Sequence, residues 1–296
     1  MHQPDDQEKL TALKSRITDE IFFALGFSRR GFVRRVLGPL FYLPASHFIE
    51  IIAHIEDEVP RTGLNGAAMR IRPDFSMTVS PRGTEFFPKE GPLLIASNHV
   101  GAFDSVAIAS CIPRRDLKLF VSDVPFMRAM TATGKQLIYV PLDVTGRMAA
   151  LREGIQYLQN GGALLSFAHY EVEPDPSFMP GAYESIQDWS PSIEIMLRKV
   201  PDTKLQICMA SNVLLPQYVH HPITKIRRKS FEKQKVGEFL QLIAQMLFPR
   251  HFKYNVHVSF SSPSDLQQLG GQDIMPAVIQ KARGLLKEHI ASLPQK

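Results

Sequence analysis

The stretch GPLLIASNHVGAFDSVAIASCI, residues 91–112, combines two apolar runs with a short polar segment between them. The first run, LLIA, is short, continuous and preceded by glycine and proline, which is typical of a strand buried on both faces. The second run, VAIASCI, follows an aspartate that is suited to begin a helix. The stretch therefore predicts a buried strand, a polar loop and a helix, which is a building unit of α/β proteins.

The same alternation of apolar strands and amphipathic helices continues along the chain. A helix is predicted over residues 148–158, where apolar side chains recur at helical spacing, and Gly161 and Gly162 then favour a left-handed stop. The other predicted elements are strands at residues 117–123, 137–143, 162–169, 204–210 and 254–260 and later helices around 239–247 and 278–286. The expected fold class is α/β, a mostly parallel central sheet flanked by helices, with an N-terminal helical segment.

The N-terminal quarter of the chain has a different pattern. Apolar residues recur at helical spacing between residues 10 and 25, and a second helical stretch follows a group of arginines. Residues 58–85 mix proline, glycine and short apolar runs, as connectors and edge strands do. We therefore predict an N-terminal helical, membrane-proximal segment, residues 1–75, followed by an α/β domain, residues 76–296.

Composition argues against several classes of protein. Cys111 and Cys208 lie in apolar stretches without metal-ligand spacing, so we predict neither a metal site nor a disulfide. The start of the chain, MHQPDDQEKL, is polar and acidic where an export signal is basic and then apolar. No uninterrupted apolar stretch reaches about 18 residues, the length that a membrane span requires. These features predict a cytoplasmic protein that does not span a membrane.

The net charge of +5 is unevenly distributed. One basic cluster consists of Arg29, Arg30, Arg34 and Arg35, and a second occupies residues 220–229. Both favour an anionic partner, and the alternative is that they are solvated faces with no specific partner. A lipid surface is favoured over nucleic acid because the first cluster leads into the apolar residues 37–43. We therefore expect peripheral association with a membrane.

A histidine and an aspartate lie five positions apart in the polar loop. His99 follows the predicted strand at its carboxyl end, where open α/β sheets usually bind ligands, and Asp104 begins the predicted helix. Gly101 gives the intervening turn its freedom. The carboxylate can then hold one imidazole nitrogen, which leaves the other free to act as a general base. The alternative is that Asp104 only caps the helix and that His99 has a structural role.

The sequence LLIASNHVGAFDSVAIA resembles the first motif of the glycerolipid acyltransferases, the lysophosphatidic acid and glycerol-phosphate acyltransferase family, in which N-H-x-x-x-x-D follows an apolar strand. The segment LKLFVSDVPFMRAMTATGKQLIYVPLD is similar to the family's next strand, helix and G-x-x-x-I-x-V-like segment. LLSFAHYEVEPDPSFMPGA stands where the family has its F-P-E-G-T-R-like acceptor motif. The resemblance covers roughly residues 88–290. It implies that His99 is the catalytic base and that Asp104 orients it.

The acceptor motifs depart from the family's pattern. Leu142 stands in a YVPL run, which we expect to be buried, at the position of the family's phosphate-binding arginine; the nearest arginine is Arg147. Phe167 is kept, but Ala168 and His169 replace the expected proline and glutamate. Glu171 and Glu173 follow and substitute for that glutamate only if the loop is rearranged. The candidate substrate-binding residues are therefore Phe103, Arg147, Glu171 and His169.

The resemblance implies an O-acyltransferase of phospholipid or other lipid metabolism. It would move a fatty acyl group from an acyl-CoA or acyl carrier protein thioester onto a lipid or glycerolipid-like acceptor, and no further cofactor is expected. The expected partners are the thioester donor, the lipid acceptor and a membrane surface. The main alternative is a catalytically silent, membrane-associated lipid-binding protein with the same fold. A nucleic-acid-binding module ranks last because the sequence contains no motif for it.

Overall fold

The computed structural model of the chain describes residues 32–101, 103–248, 252–271 and 273–294. Within these ranges seven strands form one sheet, in the order β1-β7-β6-β2-β5-β3-β4. All neighbouring strands are parallel except β6 and β7. The predicted fold class, an α/β protein with a mostly parallel central sheet flanked by helices, is confirmed.

The strands are β1 (Met77–Arg82), β2 (Leu93–Ser97), β3 (Leu117–Ser122), β4 (Leu137–Val140), β5 (Ala163–Phe167), β6 (Lys204–Ser211) and β7 (Tyr254–Phe260). The α-helices are α1 (Phe32–Ile71), α2 (Asp104–Ala109), α3 (Pro125–Arg128), α4 (Val144–Gln159), α5 (Ala182–Ser185), α6 (Ser192–Lys199), α7 (Pro216–Val219), α8 (Ser230–Leu247) and α9 (Ile274–Ala291). Strands β2 to β6 are mutually parallel, so their carboxyl ends lie at one edge of the sheet, here termed the carboxyl edge.

The central strand β2 is buried on both faces, which accounts for its continuous apolar run. Leu93 and Ile95 contribute to one core, and Leu94 and Ala96 contribute to the other. Helices α1, α2 and α8 cover the first core, while α4, α6 and α9 cover the second. The alternation of side chains along the strand thus places apolar residues in both layers.

The predicted glycine stop lies at the end of α4. Gly161 has a φ of 81° and its N–H donates to Leu158 O, while the N–H of Gly162 donates to Tyr157 O. These bonds satisfy carbonyl groups that the end of a helix leaves without intrahelical partners. The chain then passes directly into β5, as the sequence predicts.

The prediction for residues 58–85 is only partly correct. Strand β1 is an edge strand, but residues 58–71 are not a connector, because they belong to the helical stretch α1. Proline and glycine mark a break between two helical runs at Gly63, whose φ is 74°. A Cβ on Gly63 would lie 2.7 Å from Arg115 O, so the backbones approach closely there. Beyond the break, apolar residues at helical spacing pack into the core: Leu64, Ala67, Ala68 and Ile71.

Part of the N-terminal prediction lies outside the described residues. The helical pattern between residues 10 and 25 falls there, as do Arg29 and Arg30. Arg34 and Arg35 lie in α1, but their side chains are not described. The division of the chain at residue 75 stays a prediction. Among the helices that the structure describes, none has the length and apolar character needed to cross a membrane.

Candidate active site

The loop that carries His99 is fixed to its neighbours by an asparagine. Asn98 directly follows β2, and its side chain accepts from the N–H of Ala210 at 2.8 Å and donates to Ala210 O at 2.9 Å. Asn98 is 4% exposed, so these two bonds are buried. Because Ala210 belongs to β6, the asparagine holds the start of the loop against the neighbouring strand at the carboxyl edge.

His99 and Asp104 are in direct contact. The Nδ1 atom of His99 lies 2.9 Å from Asp104 Oδ2. The same oxygen accepts from the backbone N–H groups of Val100 at 2.8 Å and Gly101 at 3.2 Å. Asp104 makes no side-chain cap of α2, whose N-cap position is Phe103. The carboxylate therefore organises the loop and the imidazole and does not cap the helix.

The two side chains differ in their exposure to solvent. The Asp104 side chain is fully buried, whereas the His99 side chain is 24% exposed. The His99 ring packs against Phe167 at the end of β5, with ring centroids 4.4 Å apart and planes inclined by 33°. With Nδ1 bound to Asp104 and one ring face covered by Phe167, Nε2 is the nitrogen left for a substrate.

Charged neighbours set the basicity of His99. Burial disfavours the charged imidazole, but the charge and hydrogen bond of Asp104, with the charges of Glu238 and Glu173, outweigh it. The net result is a His99 pKa raised above its ordinary value of 6.5. A base with a raised pKa binds a proton more strongly, and it remains available as a base only when the pH is high enough to leave it neutral.

Glu173 holds the backbone of His99 through two hydrogen bonds. Its Oε2 accepts from the His99 N–H at 2.8 Å, and its own N–H donates to His99 O at 2.5 Å. The other oxygen, Oε1, accepts from Ser185 Oγ and Trp189 Nε1, each at 3.0 Å. Glu173 is 2% exposed. Burial raises its pKa, although the hydrogen bonds from Trp189, His99 and Ser185 oppose that shift.

Helix α8 also binds the loop that contains His99. The Nε2 of Gln234, which is 2% exposed, donates to Val100 O and Glu173 O, each at 2.9 Å. Glu238, one turn further along, approaches Gly101, where a Cβ would lie 2.7 Å from Glu238 Oε1. Gly101 is not among the left-handed glycines of the chain. Its lack of a side chain therefore makes room for Glu238, and the expected need for turn freedom is wrong.

The four candidate substrate-binding residues differ in their exposure and in the side chains that they contact. Phe103 is half-buried and packs on Phe75, with ring centroids 4.6 Å apart. The half-buried Arg147 lies in the first turns of α4 with its guanidinium 5.9 Å from the Tyr170 ring centroid. Glu171 is exposed, and its N–H donates to His169 Nδ1 at 3.0 Å. Their roles towards a substrate stay predictions.

Two expectations about the acceptor motif are wrong. Leu142 is 81% exposed and not buried, because the chain leaves the sheet after Val140 and Asp143 already caps α4 through the Gly146 N–H. Glu173 cannot serve as an acceptor contact in this arrangement, since both of its oxygens bind protein donors. Glu173 instead binds the N–H and the carbonyl group of the His99 backbone.

Sequence reasoning missed the positioning role of Glu173 and the contribution of Gln234. For α8 a signal was present, since glutamines at positions 234, 241 and 245 are spaced by seven and four residues, which places them on one side of the helix. Gln241 binds the backbone of Val213 and Leu215, and Gln245 donates to Phe75 O. Three buried glutamines thus attach this helix to loops at the carboxyl edge. Within the described ranges, no group of three or more histidine, cysteine or acidic residues is arranged to hold a metal ion.

Comparison with known proteins adds little to this geometry. No model of a protein family matches the sequence, and no curated protein sequence matches it. A solved structure that resembles it is the 1-acyl-sn-glycerophosphate (LPA) acyltransferase PlsC from Thermotoga maritima. The two chains are 13% identical, with a TM-score of 0.46, and the similarity covers 95% of this chain and 98% of the other. A similarity at this level leaves the function to be argued from the site itself.

The raised pKa of His99 leads to a testable pH dependence. If neutral His99 is the base, kcat/KM rises with pH and its acidic limb has an apparent pKa above 6.5. Asp104→Asn removes the main contribution that raises this pKa, so the limb moves to lower pH while the maximal rate falls. Glu238→Gln shifts the limb in the same direction by less. The measurement is kcat/KM against pH; equal limbs in wild type and Asp104→Asn would contradict the assignment.

Proposed function

We propose that the protein is an O-acyltransferase that uses His99 as its general base and Asp104 as the group that orients it. The observation that carries the proposal is the bond between His99 Nδ1 and the buried Asp104 carboxylate, which leaves Nε2 as the free nitrogen of a partly exposed ring. The resemblance of the N-H-x-x-x-x-D stretch to the glycerolipid acyltransferases supports this choice of reaction. The proposed donor is an acyl-CoA or acyl carrier protein thioester.

In the proposed reaction the acceptor hydroxyl lies within hydrogen-bonding distance of His99 Nε2. The imidazole removes the hydroxyl proton as the oxygen attacks the thioester carbonyl, and a tetrahedral oxyanion forms. The intermediate collapses with cleavage of the carbon–sulfur bond, and the imidazolium returns the proton to the thiolate. An ester and a free thiol result. Asp104 stabilises the transient positive charge on the ring and keeps Nδ1 protonated.

Three neighbours support His99 in this role. Phe167 restricts rotation of the ring, and Asp104 fixes Nδ1. Glu173 holds both the N–H and the carbonyl group of the His99 backbone. A base that is held in one orientation loses little entropy on reaching the transition state, and such positioning is a large part of enzymatic rate enhancement.

The proposal is tested by turnover of acyl thioesters. The purified protein is incubated with acyl-CoA or acyl carrier protein thioester and a total lipid extract, and thiol release and acylated lipid are measured. Acylated product that depends on His99 supports the proposal. Lipid binding without thiol release, under conditions where the fold is intact, would instead favour the catalytically silent lipid-binding protein.

The proposed acceptor is a lipid whose binding does not require an arginine that holds a phosphate monoester. Leu142, at the position that resembles the family's arginine, cannot bind phosphate, and Arg147 lies beside Tyr170. We expect glycerol 3-phosphate to be a poorer acceptor than a less charged lipid by about tenfold to a hundredfold, the contribution of a hydrogen-bonded ion pair. Competition between the two acceptors measures this preference.

A gain-of-function variant sharpens this prediction. Because Leu142 is 81% exposed, Leu142→Arg is expected to fold normally and to raise the use of glycerol 3-phosphate. Leu142→Lys is the matched control, since it adds charge without the two-pronged guanidinium. Efficient acylation of glycerol 3-phosphate by the wild type, lost in Arg147→Ala, would refute the preference and assign the phosphate grip to Arg147.

A further inference from the structure

Exposed apolar side chains are concentrated at the carboxyl edge of the sheet, where His99 lies. Of the fourteen large apolar side chains that are exposed in the described part of the chain, seven lie within fifteen residues after the ends of β3, β4, β5 and β6. Five of them lie on the side of β3 to β5: Val124, Leu142, Val144, Met148 and Tyr170. The remaining two follow β6 and belong to a different kind of surface.

Residues 220–229, here termed the basic turn, contain a short 3₁₀ helix, Pro222–Ile226. Ile223 and Ile226 are 42% and 55% exposed. Residues three apart in a 3₁₀ helix lie on the same side, so the two isoleucines form one apolar ridge on the surface. An exposed pair of this kind has no role in the core of the protein.

Hydrogen bonds within the basic turn keep the two isoleucines on the surface. Thr224, between the two isoleucines, is 3% exposed, and its hydroxyl lies 2.7 Å from His221 O and 3.0 Å from Val219 O. The N–H of Ile223 donates to His221 Nδ1 at 3.3 Å, which caps the start of the helix. The turn thus buries its threonine and presents its isoleucines to solvent.

The charge of the basic turn is of one sign. Residues 225–229 include four lysine or arginine residues, and residues 220–229 contain no aspartate or glutamate. Lys225, Arg228 and Lys229 are exposed, and Arg227 is half-buried. Basic side chains around a small apolar ridge match the interface of an anionic bilayer, which offers phosphates at its surface and acyl chains below them.

Helix α8 connects the basic turn to the loop that contains His99. Helix α8 begins immediately after Lys229, and Gln234 on its second turn donates to Val100 O and Glu173 O on either side of His99. The His220 ring also packs edge-on against Phe178, with centroids 6.2 Å apart. A surface that contacts the basic turn therefore contacts a part of the protein that is bonded directly to the site.

We infer that the basic turn is a docking element for an anionic lipid surface, with Ile223 and Ile226 entering the interfacial layer and the basic side chains contacting lipid phosphates. The exposed apolar residues beyond β3, β4 and β5 lie at the same edge of the sheet, so a broad partner such as a bilayer fits the distribution better than a single acidic protein helix. The inference deepens the proposed function and rests on it for the nature of the acceptor, but binding is measured without turnover.

The test is cosedimentation of the full chain with phosphatidylcholine vesicles that either contain or lack phosphatidylglycerol. Lys225→Gln with Arg228→Gln is expected to weaken binding to the anionic vesicles about 25-fold, because each basic residue near a charged bilayer contributes about fivefold. Ile223→Ser with Ile226→Ser is expected to weaken it by about a hundredfold, since two buried aliphatic side chains are lost. High salt should weaken binding of the wild type.

Matched variants control for general loss of charge or apolar surface. Lys89→Gln with Lys199→Gln removes two exposed lysines that precede β2 and β6 and so lie at the opposite edge of the sheet. Ile195→Ser with Ile290→Ser removes two isoleucines that are 38% and 45% exposed on α6 and α9. Both controls should bind as the wild type does, and thermal melting checks that every variant is folded.

The outcomes separate this inference from the proposed function. Vesicle binding that is unchanged in the basic-turn variants would overturn the inference, as would a wild type that does not bind. The inference would also be overturned if the basic-turn variants lost binding to acyl carrier protein but kept binding to vesicles, because the basic turn would then dock a protein. A chain that binds vesicles through the basic turn but never releases thiol would refute acyl transfer and leave the docking element standing.

Discussion

Replacing His99 by alanine is expected to lower acyl transfer by about two to four orders of magnitude, the usual contribution of a positioned general base. The reason is that no other described side chain is held by Asp104 at the carboxyl edge, so nothing replaces Nε2. The fold should survive, since His99 is partly exposed and Asp104 Oδ2 still accepts from Val100 and Gly101. Thiol release under saturating donor and acceptor measures the loss.

A second substitution separates catalysis from loop structure. His99→Gln keeps an N–H donor for Asp104 but provides no basic nitrogen, so it should be as inactive as His99→Ala while melting closer to the wild type. His54→Gln is the matched control, because His54 lies on α1 with its side chain 50% exposed and pairs with Asp74, away from the loop that contains His99. Wild-type turnover by His99→Ala would refute the proposal that His99 is the general base.

The sequence predicts the layers of this fold better than its connections. Strand β2 is recognisable because a strand that is buried on both faces must be continuously apolar, and α4 because its buried face repeats at helical spacing. The segment 58–71 is misread because local rules for proline and glycine are weaker than the burial of Leu64 and Ile71 against the sheet. A helix break and a loop have similar compositions, and only packing distinguishes them.

Within the site, the sequence predicts contacts between near neighbours and fails for distant ones. His99 and Asp104 are five residues apart, so their pairing follows from a single turn. Glu173 lies 74 residues from His99, and its side-chain bond to the His99 backbone depends on strands β2 and β5 being adjacent. The exposure of Leu142 likewise depends on the tertiary structure, because the chain leaves the edge strand β4 after Val140. The spacing of residues in the sequence shows neither which strands are adjacent nor where a strand ends.

The substitution with the largest expected effect on stability is Glu173→Ala. It leaves two donors without their partner, the His99 N–H and Trp189 Nε1, whereas Ser185 Oγ can still donate to Ala182 O. An unsatisfied buried polar group costs about 1–3 kcal/mol, so the free energy of unfolding should fall by several kcal/mol. Chemical denaturation measures this loss. The exposed Glu171 offers the control, and Glu171→Gln should leave the unfolding midpoint unchanged.

Glu173→Gln tests the positioning role without removing the whole network. The amide oxygen can still accept from Trp189 and Ser185, but the amide NH₂ then faces the His99 N–H, and two donors oppose each other. The backbone of His99 must shift, and a displacement of about 1 Å in a catalytic group can cost a hundredfold in rate. We therefore expect kcat to fall by about that factor with KM nearly constant, because Glu173 does not contact the substrate. A Glu173→Gln protein that is folded and retains the wild-type kcat would show that the clamp on His99 is structural only.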